Sequence, residues 1–410
     1  MNQTIRSRIE QIKRGAIPDG YKKTKVGIVP KEWTEHTLSE FFDFKNGLNK
    51  EKEAFGKGTP IVNYTDVWGK RGLLKENIKG KVLLSKNEID LYKVEEGDVF
   101  FTRTSETIEE IGLSSVLLEP INDCVFSGFV LRARPKKAGI VKEYNIYCYS
   151  SAIMRHEITR KSSMTTRALT NGTLLGEVNI NLPNQKEQEK IAEILQEQDR
   201  LIKLKEKLIE EKKKQKQYLM DVLLTGKVRL PGFTDEWKKF HLRELCSIRT
   251  GRLDANAAVE NGRYPFFTCS REELRINKYS FNGEAILLAG NGDVGHTKYY
   301  SGKFDAYQRT YVLMDFKINP KLIKCYIDMA VPTIVQKELQ GGAMPYIKLS
   351  TLEKVSFFAP NDFNEQEAII KDIELFAVEL ELLQKELEEQ KRKKQSLMQL
   401  LLTGIVKVKA

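Results

Sequence analysis

Apolar residues follow a helical period in two long stretches, one in the middle of the chain and one at its end. They alternate there in steps of four and three residues, which is the heptad pattern of a coiled-coil seam. Each stretch therefore needs an apolar partner. The seam positions are Ile191, Leu195, Ile202, Ile209, Leu219, Leu223, Ile369, Ile373, Phe376, Leu380, Leu383, Leu387, Leu397 and Leu401. Polar residues interrupt the seam at Gln198, Lys205, Lys212, Lys216, Gln390 and Lys394.

The two stretches are copies of one segment. Residues 187–226 align without a gap on residues 365–404, which lie 178 positions later. A second match, with an offset of 204 positions, places Trp33 on Trp237 within two further similar segments. The two offsets differ, so the part between these matches is longer in the first copy. The chain thus repeats a unit of one variable domain followed by one constant helix.

The order of these units predicts how the helices pack. Each helix ends at a Thr-Gly pair, where glycine can adopt the left-handed C-terminal cap, and 40 residues form a rod of about 60 Å. Antiparallel packing lets the second rod run back along the first, whereas parallel packing would need a long connector that the sequence lacks. We therefore expect two similar domains, related by an approximate two-fold axis, at opposite ends of an antiparallel coiled coil. The charge-rich residues 203–216 are interpreted as its solvated face rather than as a DNA-binding segment.

The variable parts combine strand-like and helix-like patterns. Strands are predicted within residues 97–104, 124–135, 283–291 and 308–316, and helices within residues 142–158 and 319–339. Each domain is therefore expected to be of the mixed α and β class.

One glycine-rich segment resembles a dinucleotide-binding fingerprint. Residues 290–295 read GNGDVG after a predicted strand, but no apolar helical period follows, and the fingerprint requires a helix N-terminus to hold the pyrophosphate. The segment is either a surface hairpin loop or a loop that contacts DNA. The candidate DNA contacts are Asn291, Asp293, His296, Lys298 and Tyr299.

Two further loops combine cations with hydroxyl groups, a composition that suits phosphate and base-edge hydrogen bonds but also ordinary loops. The first domain offers Arg103, Thr104, Ser105 and Thr107, at the place equivalent to residues 290–299, and then Arg160, Lys161, Ser162, Ser163, Thr165, Thr166 and Arg167. The counterpart of this second loop in the second domain contains Gln340, Tyr346 and Lys348.

Composition limits the remaining possibilities. The 410 residues carry a net charge of +11, which suits a polyanionic partner. No stretch approaches the roughly 18 apolar residues of a membrane span, and the N-terminus lacks the pattern of a signal peptide, so we expect a cytoplasmic protein without a membrane partner. The five cysteines and four histidines are scattered and predict no metal site. No catalytic motif is present, and we expect no catalysis by the isolated chain.

Several quoted segments resemble those of specificity subunits of type I restriction–modification enzymes. "YKKTKVGIVPKEWTEHTL" is similar to the start of the first target-recognition domain in that family. "LLTGKVRLPGFTDEWKKFHLREL" resembles the family's central conserved region where it leads into the second domain. "NLPNQKEQEKIAEIL" and "FAPNDFNEQEAII" resemble the proline and Glu-Gln signature that opens each conserved helix. The resemblance covers essentially the whole chain, in the family's order of domain, helix, domain and helix.

The resemblance implies an α/β mixed fold, with two α+β target-recognition domains separated by two long helices that form a pseudo-two-fold symmetric, antiparallel coiled coil. The expected segments are an N-terminal helical arm (1–24), the first recognition domain (25–184), the central conserved helix (185–227), the second recognition domain (228–361) and the C-terminal conserved helix (362–410).

The resemblance also implies partners. Double-stranded DNA would be read as a bipartite site, and the coil would bind two methyltransferase (modification) subunits that use S-adenosylmethionine (SAM) to methylate adenine. Restriction subunits would complete an ATP-dependent and Mg-dependent nuclease, and this chain would hold no cofactor. The alternatives are the recognition subunit of a two-component, type II-like restriction enzyme and a stand-alone DNA-binding scaffold.

Overall fold

The computed structural model describes residues 3–339 and 346–408. The chain forms two compact units. Unit 1 comprises Met1–Lys205 and Glu386–Ala410, and unit 2 comprises Glu206–Lys385.

The strands are short and numerous. They are β1 (Tyr21–Thr24), β2 (Gly27–Pro30), β3 (Thr34–Thr37), β4 (Phe42–Asn46), β5 (Phe55–Val62), β6 (Gly72–Leu73), β7 (Lys81–Val82), β8 (Val99–Thr102), β9 (Thr104–Ser105), β10 (Ser114–Leu117), β11 (Val125–Phe126), β12 (Val130–Pro135), β13 (Ser163–Met164), β14 (Ala168–Leu169), β15 (Asn179–Leu182), β16 (Lys238–His241), β17 (Ser247–Thr250), β18 (Tyr264–Phe267), β19 (Glu273–Ile276), β20 (Phe281–Ala289), β21 (Thr297–Ala306), β22 (Thr310–Met314) and β23 (Ser356–Ala359).

Two helices are far longer than the others. The helices are α1 (Gln3–Lys13), α2 (Tyr64–Val67), α3 (Lys86–Tyr92), α4 (Lys142–Cys148), α5 (Ala152–Lys161), α6 (Gly172–Gly176), α7 (Gln185–Leu224), α8 (Leu242–Leu245), α9 (Pro320–Leu339), α10 (Leu349–Glu353) and α11 (Phe363–Leu402). Helices α7 and α11 contain 40 residues each, and they coincide with the two predicted heptad stretches.

The main sheets of the two units share the order of their first five strands, and the sheet of unit 2 has a sixth strand, β19, at its edge. In unit 1 the order is β4-β12-β8-β10-β6, and in unit 2 it is β17-β22-β20-β21-β18-β19. In both, the first three strands pair antiparallel. A separate two-stranded pair, β3 with β15 and β16 with β23, precedes each long helix. The predicted duplication therefore extends through the variable domains.

The predicted strands and helices are found, with three differences. The segment at residues 97–104 contains β8 and the start of β9, which are separated at Arg103. The segment at residues 124–135 forms two strands, β11 and β12, because a tight turn separates them. Residues 142–158 form two helices, α4 and α5, rather than one. Ser151 starts the second of them, since its hydroxyl accepts a hydrogen bond from the Met154 backbone N–H at 3.3 Å.

Within unit 1, α7 and α11 pack antiparallel. The Gln198 side chain donates to the Gln390 side chain (3.0 Å), and Lys205 pairs with Glu386 (2.6 Å), so ascending positions on α7 meet descending positions on α11. Lys394 also bonds Asp199. Four of the polar residues that interrupt the seam, Gln198, Lys205, Gln390 and Lys394, are therefore cross-helix partners.

Unit 2 repeats this arrangement with the other halves of the helices. Lys212 pairs with Glu379 at 2.7 Å, and Leu223 packs in one cluster with Ile369 and Ile373. The predicted antiparallel direction is thus present in each unit. Of the predicted seam, Ile202, Leu219, Phe376, Leu383 and Leu397 are half-buried and the other members are buried.

Candidate nucleic-acid interface

A hydrogen-bonded joint, formed by Trp33, Glu187, Gln188 and Val141, fixes the first domain to α7. The Trp33 indole donates to Glu187 Oε2 at 3.3 Å. The Gln188 side chain accepts from the Val141 backbone N–H and donates to the Pro183 carbonyl, both at 2.9 Å. Val141 directly precedes α4, and Pro183 directly follows β15, so Gln188 ties three elements together.

The second joint uses the matching residues. The Trp237 indole donates to Glu365 Oε1 at 3.2 Å. Gln366 accepts from the Asn319 backbone N–H, directly before α9, and donates to the Pro360 carbonyl after β23, both at 2.9 Å. The glutamine of the repeated Glu-Gln pair thus has the same role in both copies. Its buried amide bonds a backbone carbonyl after a strand and a backbone N–H before a helix, so both of these groups have a partner.

The joints differ in the cation beside the glutamate. Arg229 forms a bidentate pair with Glu365, at 2.7 and 2.9 Å. Lys407, which is 178 positions after Arg229, instead bonds Glu32 at 2.9 Å. Glu187 Oε1 is buried without a hydrogen-bond partner among the described residues. Burial raises the pKa of Glu187, although the Trp33 hydrogen bond opposes this effect.

At the far end of each main sheet, one turn has the same hydrogen bonds in both domains. In unit 1 the Val130 N–H donates to the Ser127 carbonyl at 3.0 Å, and in unit 2 the Thr310 N–H donates to the Tyr307 carbonyl at 2.9 Å. The carbonyls of Phe129 and Arg309 accept from the backbones of Arg103 (3.1 Å) and Gly290 (3.0 Å), respectively. Arg103 and Gly290 therefore occupy equivalent positions, as the sequence predicts.

The two predicted regions of the first domain lie together in space. Strand β9 contains Thr104 and Ser105, and it pairs with β14, which pairs with β13. The Thr170 N–H also donates to the Arg103 carbonyl at 3.0 Å. We call residues 103–105, 127–129 and 163–169 the first tip surface. Its hairpin residues 163–167 are exposed, and its Phe129 side chain is 64% exposed.

Not all predicted residues of the first domain face solvent freely. Ser105 is buried and bonds Glu110 at 3.3 Å. Arg160 pairs with the buried Glu157 at 2.6 Å, Lys161 pairs with Glu177, and the Ser162 hydroxyl donates to a helix carbonyl. These side chains have structural partners. Ser163 is exposed, but its hydroxyl donates to the Leu169 carbonyl at 3.4 Å. In contrast, Thr165 and Arg167 are exposed, and Arg167 only approaches Glu106 at 3.9 Å.

The glycine-rich segment of the second domain is a hairpin loop. It connects β20 to β21, which pair antiparallel, so the dinucleotide interpretation is excluded by the strand that follows it. The Asp293 N–H donates to the Cys269 carbonyl at 3.0 Å, and the Ile347 N–H donates to the Gly290 carbonyl at 2.9 Å. We call residues 269–271, 290–296, 307–309 and 346–348 the second tip surface.

The predicted residues of the second domain have mixed environments. Asp293 pairs with Arg271 at 2.6 Å, and this hydrogen bond lowers the pKa of Asp293. Lys298 pairs with Glu273 at 2.7 Å. Tyr299 bonds Glu284, and burial together with this bond raises its pKa to about 12. Asn291 and His296 are half-buried in the loop, whereas Tyr346 and Lys348 are exposed. Gln340 lies outside the described residues.

The role of the predicted residues as DNA contacts stays a prediction. Within residues 3–339 and 346–408, no group of three or more His, Cys, Asp or Glu residues is placed to hold a metal ion. Across the same residues, none of the helices combines the length and the apolar character that crossing a membrane requires.

The sequence model of the type I restriction modification DNA specificity domain matches residues 30–213 and, a second time, residues 234–392. The chain belongs to this family. The double match agrees with the repeated sheet order and the repeated joint, and it confirms the prediction of two recognition domains with long helices.

Individual relatives support the same assignment. The chain is 36% identical over 154 residues to the specificity subunit of the type I restriction enzyme EcoDI of Escherichia coli, which covers 38% of this chain and 34% of that protein. It is 24% identical over 391 residues to the MjaIX specificity subunit of Methanocaldococcus jannaschii, covering 83% of this chain and 86% of that protein. The aligned part is therefore about a third of the first relative and most of the second.

Solved structures show the same fold. The S subunit of a type I system from M. genitalium superposes with a TM-score of 0.55 at 17% identity, covering 90% of this chain and 96% of that one. A chain from a structure of the type I restriction–modification system, on complex assembly and conformational transition, gives a TM-score of 0.59 at 17% identity and covers 92% and 99%.

Sequence reasoning missed some exposed side chains of these specificity domains. Phe129 in the first tip surface and Arg271, Gln308 and Arg309 in the second are exposed, and none of them is among the residues that the sequence predicted. The duplication of the sequence is the signal that could have located these turns. Gly47 and Gly251 match in sequence, and an added Cβ at either would lie within 2.1 Å of a carbonyl oxygen beside these turns.

Proposed function

We propose that the chain is the DNA sequence-specificity subunit of a type I restriction–modification complex. The observation that carries this proposal is the duplicated joint, because it attaches a similar domain to the start of each long helix through matching hydrogen bonds. In this proposal each domain reads one half of a bipartite site in double-stranded DNA. Different side chains on the two tip surfaces support two different half-sites.

The paired helices would set the spacing of the half-sites. A helix of 40 residues is about 60 Å long. At about 3.4 Å per base pair, this length limits the separation to roughly 18 base pairs. Polar cross-helix pairs, such as Gln198 with Gln390, support one register, since each would lose its partner if the helices slipped.

The proposal includes two methyltransferase (modification) subunits, one for each copy of the repeated unit. Helix α11 leaves Leu375, Val378 and Leu382 exposed at helical spacing, and α7 exposes Leu201, Leu204 and Leu208 at the same spacing. Exposed apolar rows of this kind are typical of protein–protein contacts. SAM, ATP and Mg would be used by the modification and restriction subunits, so this chain would contribute recognition and assembly rather than catalysis.

The test is to co-express the full chain with its modification subunit and to map methylated adenines in the host DNA. We expect one bipartite motif with an unspecified spacer. A continuous motif, or no sequence preference, would contradict the proposal. A partner that carries both cleavage and methylation in one polypeptide would instead support the two-component alternative, and tight sequence-specific DNA binding by the isolated chain would support the stand-alone scaffold.

A further inference from the structure

The turn at residues 307–309 holds two side chains, Gln308 and Arg309, that form no hydrogen bond or ion pair with the described residues. It connects β21 to β22 at the second tip surface. Gln308 and Arg309 are exposed, and within the described residues the Arg309 guanidinium has neither an ion pair nor a hydrogen bond. The neighbouring cations differ, because Arg271 is held by Asp293 and Lys298 by Glu273.

Backbone hydrogen bonds hold this turn, although the described residues offer the Gln308 and Arg309 side chains no hydrogen bond or ion pair. The Arg309 carbonyl accepts from the Gly290 N–H at 3.0 Å and from the Cys269 thiol at 3.3 Å. An added Cβ on Gly290 would lie 2.7 Å from that carbonyl oxygen, so the glycine permits the close approach of loop and turn. A rigid backbone that presents an unpaired guanidinium loses little conformational freedom and no existing ion pair when it binds.

The equivalent turn in the first domain has different chemistry at the same place. Phe129 occupies the position of Arg309, with the same backbone hydrogen bonds, and its ring is exposed. The two turns share one set of backbone hydrogen bonds but carry an arginine in one domain and a phenylalanine in the other. This arrangement is expected of an element that sets sequence preference.

We propose that the turn at residues 307–309 is a base-reading element of the second domain and that Arg309 reads a guanine by donating two hydrogen bonds to its O6 and N7 atoms in the major groove. Arginine has the planar fork that fits this edge. The inference rests on the proposed function, since it requires that this domain reads half of a DNA site.

The test uses the full chain in complex with its modification subunit and a DNA library in which each position of both half-sites carries all four bases. Arg309→Ala is compared with Arg309→Lys, which keeps the charge but not the fork. Arg243→Ala is the matched control, because Arg243 is exposed in α8, at the opposite end of β17 from Gly251. The readout is the relative methylation of sites that differ at one base.

We expect Arg309→Ala to reduce the preference for guanine at one position of the second half-site by roughly 10- to 100-fold, as loss of one bidentate base contact would do. Arg309→Lys should restore only part of this preference, and Arg243→Ala should leave it unchanged. The preference at the first half-site should remain in all variants, which shows that the complex is assembled and folded.

Two results would overturn the inference. Equal loss of methylation on all library members, restored by Arg309→Lys, would show a phosphate contact instead of base reading. Unchanged preferences in Arg309→Ala would show that this turn does not touch the bases. Failure of the proposed function is recognised separately, because the unmodified chain would then show no bipartite motif in the same experiment.

Discussion

The indole of Trp33 donates a hydrogen bond to Glu187, 154 residues later in the chain, and this bond closes the joint between the first domain and α7. Trp237 and Glu365 form the same bond in the second copy. The chain repeats itself because each long helix requires the same anchoring residues at its start.

The same substitution should have different effects in the two joints, because Glu365 is bonded to Arg229 whereas Lys407 bonds Glu32 rather than Glu187. Glu365→Gln should lower the free energy of unfolding by about 2–3 kcal/mol, because it removes a buried carboxylate and leaves Arg229 without its bidentate partner. Glu187→Gln should change it by less than about 1 kcal/mol, since Glu187 has no such cation. Urea unfolding of both variants at neutral pH measures the difference. Equal losses would contradict this account of the joints.

The raised pKa of Glu187 also predicts a dependence on pH. Folded chains bind the Glu187 proton more tightly than unfolded chains, so this group's favourable contribution is fully present below the unfolded pKa. It is lost as pH rises through the raised folded pKa. The stability of Glu187→Gln relative to the unmodified chain should therefore increase from pH 4 towards pH 7. Urea unfolding across this range checks the sign, and a decrease would show that the carboxylate is stabilised in its charged form.

The glycines that end the long helices provide a second matched pair. Both Gly226 and Gly404 have positive φ, at 69° and 68°. A Cβ at Gly404 would lie 2.4 Å from Pro30 Cδ, whereas one at Gly226 would lie 3.3 Å from the Trp237 ring. Both alanine variants should lose at least about 1 kcal/mol from the left-handed backbone, and Gly404→Ala should lose more because Pro30 must also move. Thermal unfolding ranks the two, and the reverse order would contradict the packing described here.

The exposed apolar row on α11 predicts where a modification subunit binds. Replacing Leu375, Val378 and Leu382 together by serine should weaken binding of that subunit at least about tenfold, because buried apolar contact area is lost. The fold should persist, since these side chains are exposed. Gln384→Ser, on another exposed face of α11, is the control. Affinity is measured with purified chains, and unchanged binding of the triple variant would remove this surface from the proposed interface.

The sequence predicted the long helices and their antiparallel direction, because a heptad period and a repeated order of domains leave few alternatives. It also identified the Glu-Gln signature, but the reason for it, a link between a strand end and a helix start, depends on residues such as Val141 and Pro183 that meet only in the fold. The tip surfaces were predicted incompletely for the same reason. Strand pairing places Arg309 beside Gly290, and no local pattern of residues predicts that contact.

The most direct test of the central claim is to shorten both long helices by matching heptads. Deleting residues 206–212 and 379–385 removes facing segments, since Lys212 pairs with Glu379. Seven residues shorten each helix by about 10 Å, which corresponds to roughly three base pairs. Methylation mapping should then show both original half-sites with a spacer that is shorter by about three base pairs. An unchanged spacer, or altered bases within either half-site, would contradict the claim that the paired helices hold two independent DNA readers at a fixed distance.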